Sequence, residues 1–391
     1  MPFFFYTAQH LTCAVVHVHN AITLVNTSPV PLSASWDAVE LLNQLLRYTL
    51  QHQISDIHLE PKATELQIRV RLDGILQHYQ SLPLSAWQKL STRLKVLANL
   101  DLAEYRLPQD GRFQCTLQEQ CLDLRVSSCP THYGEKFVLR LLPSEQNLTP
   151  YDLGLTPQEA AYLDHILRCP SGLILVTGPT GSGKTTTLAQ LLERLPSAQL
   201  NICSIEDPIE IQNPRMTQIA VHDALGLSFS VLLKTLLRQD PDVIVVGEIR
   251  DPATAHTAHA AAHSGRLVLA SIHTQRAQTI HTRLESLGLT WQQSASDIVL
   301  NQRLFRTLCH CKVQRAATTA EQRLGLVSVY EPQGCHTCHQ GYKGRFALTE
   351  LYSLALPLEQ DLPAKALLQV AAGTTSLAEV HRSLGLNFDG T

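Results

Sequence analysis

The sequence predicts two successive domains of different class: a small α+β domain with an antiparallel sheet, then a larger α/β domain on a parallel sheet. Three observations carry that division. Between residues 36 and 145, apolar residues alternate with polar ones in short runs, the period of strands buried on one face. From residue 146 to 391 the apolar runs stop alternating and helical segments separate them, the pattern of a sheet covered on both faces. Between the two, Pro143 to Pro150 reads as a linker.

The chain has 391 residues, enough for two or three domains, and its 44% apolar and 17% charged composition is that of a globular protein. A net charge of −3 leaves no electrostatic footprint for nucleic acid, so none is expected as a partner. No run approaches the roughly 18 apolar residues of a membrane span, and Met1 to Asn20 lacks the basic start of a secretory signal. A cytoplasmic location with reduced thiols is therefore expected. Of the ten cysteines, six are scattered (Cys13, Cys115, Cys121, Cys129, Cys169 and Cys203) and are expected to act as small buried apolar residues.

Residues 1–35 end in the Pro/Ser-rich stretch Ser28 to Ser35, a short N-terminal segment and linker. A helix is expected from Asp37, with Glu40 completing a capping box and Val39, Leu42, Leu46 and Leu50 forming the apolar face. Leu66, Ile68, Val70 and Leu72 alternate with polar residues as a half-buried strand, and Asp73-Gly74 supplies a hairpin turn. Trp87, Leu90, Leu94 and Leu97 predict a second amphipathic helix. Leu122, Leu124 and Val126, followed by Phe137 to Leu142, predict further strands. In the second domain the buried strands are Leu173–Val176, Val243–Val246 and Leu267–Leu269.

Gly178, Pro179, Thr180, Gly181, Ser182, Gly183, Lys184 and Thr185 match the pattern G-x-x-x-x-G-K-[ST], placed between a buried strand and a helix that continues from Thr186. Its glycines free main-chain N–H groups to surround phosphates, and the helix N-terminus adds its positive dipole. Lys184 is expected on the β- and γ-phosphates of ATP, and the Thr185 hydroxyl on Mg²⁺. Two further strand ends are acidic. One is Val243 to Glu248, where Gly247 stands in the usual Asp position; the other leads into Glu206-Asp207-Pro208-Ile209-Glu210. Open α/β sheets bind ligands at such ends. Glu206 is the favoured base for water; Asp207 reads equally as a turn residue. Ser271-Ile272-His273-Thr274 ends a third strand, where His273 is either structural or a γ-phosphate sensor.

Taken together these segments resemble the secretion and pilus assembly ATPases, the traffic ATPases of type II secretion and type IV pilus biogenesis. The Walker A run Gly178–Thr185, the aspartate box Ile205–Glu210, the Walker B run Arg238–Asp251 and the histidine box Gly265–Thr274 stand in the family's order. So do Ser55–Pro61, Arg71–Gly74, Pro108–Arg112 and Gly134–Lys136 in the first domain. The resemblance covers about residues 36–350. It implies a RecA-like P-loop domain preceded by a smaller, PAS-like α+β domain, a homo-hexameric ring, and nucleotide bound between the domains. It also implies Glu206 as the water-activating residue, Glu248 as the Walker B acid, His273 as a γ-phosphate contact, and Arg125, Arg140 and Arg238 as arginines near the nucleotide. Expected partners are a polytopic inner-membrane platform protein and, through a longer N-terminal domain, a membrane-associated recruiting protein, with the ATPase peripheral at the inner face of the bacterial inner membrane. This chain departs from the family at Lys234, where arginine is common, at Arg266 and Gln275 in the histidine box, and in its short N-terminal segment. Those departures leave open a poorly hydrolysing scaffold beside the motor.

Four cysteines remain: Cys309-His-Cys311 and Cys335-His-Thr-Cys338, inside a cysteine-rich insertion over 305–345. Two pairs in a reduced compartment suggest tetrahedral structural Zn²⁺, with His310, His336 or His339 as substitute ligands because C-x-C is one residue short. Assembly ATPases resemble this arrangement and retraction ATPases lack it, which favours assembly over a retraction motor. His256, His259 and His263 share a helix but are expected as the outer side of an alanine-rich packing face rather than as a metal stripe.

Overall fold

A computed structural model describes residues 37–118, 120–142, 153–356 and 360–385. Segment 1–35 and the linker Pro143–Pro150 lie outside those residues, as does Cys13. The described residues fall into two compact units, divided at 144/145.

The first unit runs α1 (Ala38–His52), β1 (Asp56–Pro61), β2 (Glu65–Leu72), β3 (Ile75–Pro83), α2 (Leu84–Leu97), β4 (Gln109–Leu117), β5 (Gln120–Thr131) and β6 (Gly134–Leu142). Its sheet has the order β3-β2-β1-β6-β5-β4, and every pair is antiparallel. In β2, burial alternates residue by residue, and Asp73 and Gly74 turn the hairpin with φ of 48° and 82°. Both helices pack on the apolar face. Trp87 meets Phe137 edge-on at 5.4 Å between ring centroids.

Two expectations are corrected here. Asp37 does cap α1, accepting from the Val39 amide, but Glu40 turns along the helix to Gln44 and Arg47 instead of closing a box. The stripe that packs is Leu41, Leu42, Leu45, Leu46 and Thr49, and Val39 is exposed, because at 3.6 residues per turn position 39 lies about 90° from the centre of that stripe. The thiols of Cys121 and Cys129 are exposed rather than buried. Both are odd positions of β5, whose even positions Leu122, Leu124, Val126 and Ser128 point inward. Cys203 is buried as expected, and Cys115 and Cys169 are half-buried.

The second unit contains α3 (Pro157–Ile166), β7 (Gly172–Thr177), α4 (Lys184–Glu193), β8 (Ile202–Glu206), β9 (Thr217–Ala220), α5 (Phe229–Leu236), β10 (Val243–Val246), α6 (Pro252–Ala262), β11 (Leu267–Ile272), α7 (Ile280–Ser286) and β12 (Ile298–Leu308). It continues through β13 (Val313–Ala316), α8 (Thr319–Arg323), β14 (Ser328–Glu331), β15 (Tyr342–Tyr352), α9 (Leu362–Ala371) and α10 (Leu377–Leu384). The main sheet has the order β15-β12-β7-β11-β10-β8-β9 and is parallel except where β15 joins β12. Successive residues of one strand serve opposite cores. Leu173 and Leu175 pack with α5, α6 and α7, whereas Ile174 and Val176 pack with α3 and α4. A strand with two apolar faces cannot alternate in sequence, which is why these runs read as continuous. A smaller core formed by Phe305, Leu348, Val329, α9 and α10 carries the two-stranded sheet β13-β14. Among the described residues no helix is long and apolar enough to cross a membrane.

Candidate nucleotide site and cysteine cluster

The strand order sets the site. Moving outward from β7, the neighbours are β11, β10 and β8, and all four run the same way. Their carboxyl ends therefore line up the P-loop after β7, His273 after β11, Glu248 after β10, and Glu206 at the end of β8. Sequence separation across this row reaches 95 residues between Gly178 and His273, yet the His273 Nδ1 lies 3.1 Å from the Gly178 carbonyl.

The loop itself requires glycine where the sequence supplies it. Gly178, Gly181 and Gly183 have φ of 145°, 76° and 90°. A Cβ on Gly178 would sit 2.5 Å from the Gln302 carbonyl oxygen, and one on Gly183 would sit 3.0 Å from the Gln302 amide nitrogen. Gly183 caps α4 without any side-chain bond, so the first amides of that helix are left to another acceptor. Ser182 is buried and its hydroxyl has no partner among the described residues. Thr185 is exposed on the first turn of α4. Bare helix amides, an orphaned hydroxyl and a loop with no room for a Cβ at Gly178 or Gly183 fit a bound phosphate chain.

Lys184 reaches back over the loop, donating to the carbonyls of Gly178 and Pro179 at 3.0 Å each, and lies 3.4 Å from the His273 Nδ1. Burial pushes its pKa down to about 8; Glu248 opposes that shift and the Arg303 charge adds to it. Glu248 is held on both oxygens, by the His273 Nε2 at 3.0 Å and the Arg250 Nη2 at 2.8 Å. Arg250 also reaches Asp207 at 3.3 Å, so Asp207 is an ion-pair partner across two strand ends. Glu206 is buried and accepts from the Ser204 hydroxyl at 2.6 Å and the Gln218 amide at 3.0 Å. Gly247 has a local reason: a Cβ there would press within 3.0 Å of the Ile205 carbonyl, so the ends of β8 and β10 could not approach as they do.

Of the three arginines, Arg238 alone shares a unit with this cluster. Arg238 is exposed and donates to the Lys234 carbonyl at 3.1 Å, with no hydrogen bond or ion pair to the P-loop or the glutamates. Arg125 and Arg140 belong to the first unit. Arg125 faces Asp110 at 3.6 Å, and Arg140 joins Arg71 on the buried Asp56 at 2.7 and 3.5 Å. Sequence reasoning missed Ser204, Gln218 and Arg250, and the run Asn301-Gln302-Arg303 in β12. Its only mark in the sequence is three polar residues directly after the apolar Ile298-Val299-Leu300; that all three are buried comes from the fold.

The cysteines meet. Cys309, Cys311, Cys335 and Cys338 place their sulfurs within 4.8 Å of one another, with separations of 3.8 Å for Cys309–Cys335, 3.8 Å for Cys311–Cys338 and 3.6 Å for Cys335–Cys338. A tetrahedron of sulfurs about 2.3 Å from zinc has edges of about 3.8 Å. The short C-x-C spacing works because Cys309 extends β12, bonded through its amide to the Gly341 carbonyl, and the next turn brings Cys311 round. Thr337 holds the Cys335 thiol down to about 6, toward the thiolate a metal needs. On α6 the alanines Ala255, Ala258, Ala261 and Ala262 are buried, and His259 and His263 bond each other at 3.0 Å on the other side.

A mainly parallel sheet with a glycine cradle after one strand and acids after its neighbours defines the P-loop nucleotide-binding class. The chain belongs to the Type II/IV secretion system protein family, which matches residues 35–382. It is 43% identical over 332 residues to the protein transport protein HofB homolog of Escherichia coli, covering 83% of this chain and 72% of that protein. It is 39% identical over 372 residues to the type IV pilus assembly ATPase PilB of Thermus thermophilus, covering 92% of this chain and 41% of the relative. Among solved structures, the ATPase DotB of Yersinia pseudotuberculosis superposes with a TM-score of 0.64 at 17% identity, over 96% of this chain and 99% of that one, which establishes the shared fold. The PilB and DotB proteins among these are ATPases.

Proposed function

We propose that the chain is an ATP-hydrolysing motor, working as a homo-hexamer to assemble pilin-like subunits through an inner-membrane platform protein. The observation that carries this reading is the single row of strand ends that puts Lys184, His273, Glu248 and Glu206 beside one phosphate cradle. Lys184 trades its two loop carbonyls for phosphate oxygens. Thr185 and Glu248 are the groups that would hold Mg²⁺, which supplies charge neutralisation when bound. Glu206, oriented by Ser204 and Gln218, accepts the proton of the attacking water as the bond from the γ-phosphorus to the bridging oxygen breaks. His273 moves from the Gly178 carbonyl to the γ-phosphate. Arg238, Arg125 and Arg140 are the further arginines proposed to add charge near the nucleotide, and Arg125 and Arg140 would exchange Asp110 and Asp56 to do so.

The test is steady-state hydrolysis of magnesium–ATP by the full chain and by Glu248→Gln. A fall of about a hundredfold with nucleotide binding retained is expected; equal turnover in both removes this site. Binding without turnover in the unaltered protein favours the scaffold reading. For the cysteine cluster we propose structural Zn²⁺, on the tetrahedral spacing of its four sulfurs. Elemental analysis should give about one zinc per chain, lost in Cys335→Ser. A metal-free native protein rules the ion out.

A further inference from the structure

We propose that Arg303 and Asn301 form a bracket that holds the histidine-box loop against the P-loop, making Arg303 a positioning residue for hydrolysis. The proposal rests on the nucleotide site argued above.

Strand β12 lies directly beside β7, with Asn301 opposite Thr177, the last residue before the P-loop. Side chains alternate along it. Gln302 points one way, accepting from the Thr187 hydroxyl of α4 at 2.5 Å and lying against Gly183. Asn301 and Arg303 point the other way, and both seize one atom: the Gln275 carbonyl oxygen accepts from the Arg303 Nη2 at 2.5 Å and from the Asn301 Nδ2 at 3.3 Å. Gln275 lies two residues beyond His273. Asn301 closes the link to the P-loop strand, its Oδ1 accepting from the Thr177 hydroxyl at 3.3 Å and from the Arg303 Nη1 at 3.2 Å. Asn301, Thr177 and Gln302 are at most 1% exposed and Arg303 is 7% exposed.

Burying a guanidinium is costly, and a structural arginine is ordinarily repaid by a carboxylate. Arg303 has none within ion-pair distance among the described residues; its bonds go to the carbonyls of Gln275 and Gln302 and to the Asn301 amide oxygen. The buried Glu350 carboxylate, which accepts from the Asn301 Nδ2 at 3.3 Å, acts on Arg303 only through space, so the fork itself grips a main-chain oxygen of the loop that carries His273, an arrangement suited to alignment. Because the grip is on the main chain, Gln275 in place of the family's usual residue leaves it intact. Only a planar fork reaches Asn301 and Gln275 together, so lysine cannot reproduce it.

The test is a double-mutant cycle on the full chain, measuring kcat and KM for magnesium–ATP in Arg303→Lys, His273→Ala and the pair. A misplaced loop should lower kcat roughly ten- to a hundredfold with little change in KM, and Arg303→Lys should cost nothing further once His273 is gone. Full additivity in the pair, a change in KM alone, or unchanged kcat in Arg303→Lys overturns the bracket. If His273→Ala itself leaves turnover intact, or the unaltered chain has none, the reading of the site fails and the bracket with it. Thermal melting of Arg303→Lys and Arg303→Gln separates alignment from folding: if neither melts cooperatively, the residue is structural and the inference falls.

Discussion

Both units bury paired charges, the second among them Lys365 with Glu159 and Arg306 with Glu379, but the carboxyl edge of the second sheet treats its charges differently. In the first unit, Glu60 on β1 is enclosed by Arg69 and Lys136 at 2.7 Å each and by Lys62 at 3.5 Å, and Asp56 is enclosed by Arg140 and Arg71. Burial pushes the Glu60 carboxyl up, but the hydrogen bonds from Arg69 and Lys136 win and hold it at about 2. At the carboxyl edge of the second sheet, Lys184 rests on its own loop's carbonyls, and the Ser182 hydroxyl has no partner among the described residues. Saturated charges fix a fold. Charges with borrowed partners can exchange them for a ligand.

That contrast predicts which substitutions damage turnover and which damage stability. The largest effect belongs to Lys184→Ala, which should lower magnesium–ATP hydrolysis by about a hundredfold or more. Its melting temperature should move by no more than about 2 °C. A large loss of stability in this variant would place Lys184 with the saturated charges and break the comparison.

Next comes the pH dependence of nucleotide affinity. With its pKa at about 8 in the free protein, Lys184 is charged below that value and neutral above it, whereas a bound phosphate needs the charged form. Affinity should be flat below pH 8 and then fall by up to about tenfold per pH unit. Fluorescent-nucleotide titration would show the fall, and Lys184→Arg should flatten it.

The smallest effect is on the fold. Glu60→Gln leaves Arg69 and Lys136 without their shared acceptor and should cost about 1–3 kcal/mol in denaturant unfolding at pH 7. The sign of the pH effect follows from the depressed carboxyl. Its contribution is complete above about 4.5 and is lost as pH falls through about 2. The unaltered protein should weaken over that acid range, and Glu60→Gln should weaken less. Equal acid sensitivity would mean that other carboxylates carry it.

What the sequence made legible follows the same divide. The P-loop, both acidic strand ends and the paired cysteines are local patterns, because their chemistry depends on neighbours a few residues away. The two-faced burial of β7, β10 and β11 was also visible, as apolar runs without alternation. Not visible were groups whose meaning depends on a partner strand: Arg250 linking Asp207 to Glu248, Gln218 on Glu206, and the polar run in β12. Arg238 shows the converse. A motif names it, but among the described residues its guanidinium donates to the Lys234 carbonyl in the last turn of α5 and not to the P-loop.

Strand β12 starts as the neighbour of the phosphate loop and ends one residue before Cys309, with β15 paired along its other edge. Its two faces speak to different listeners, Gln302 to α4 and Arg303 to the loop after β11. Deleting a single residue between Ile298 and Asn301 would exchange those faces and shift the first cysteine at once. This stretch should therefore accept changes of side chain far more readily than any change of length.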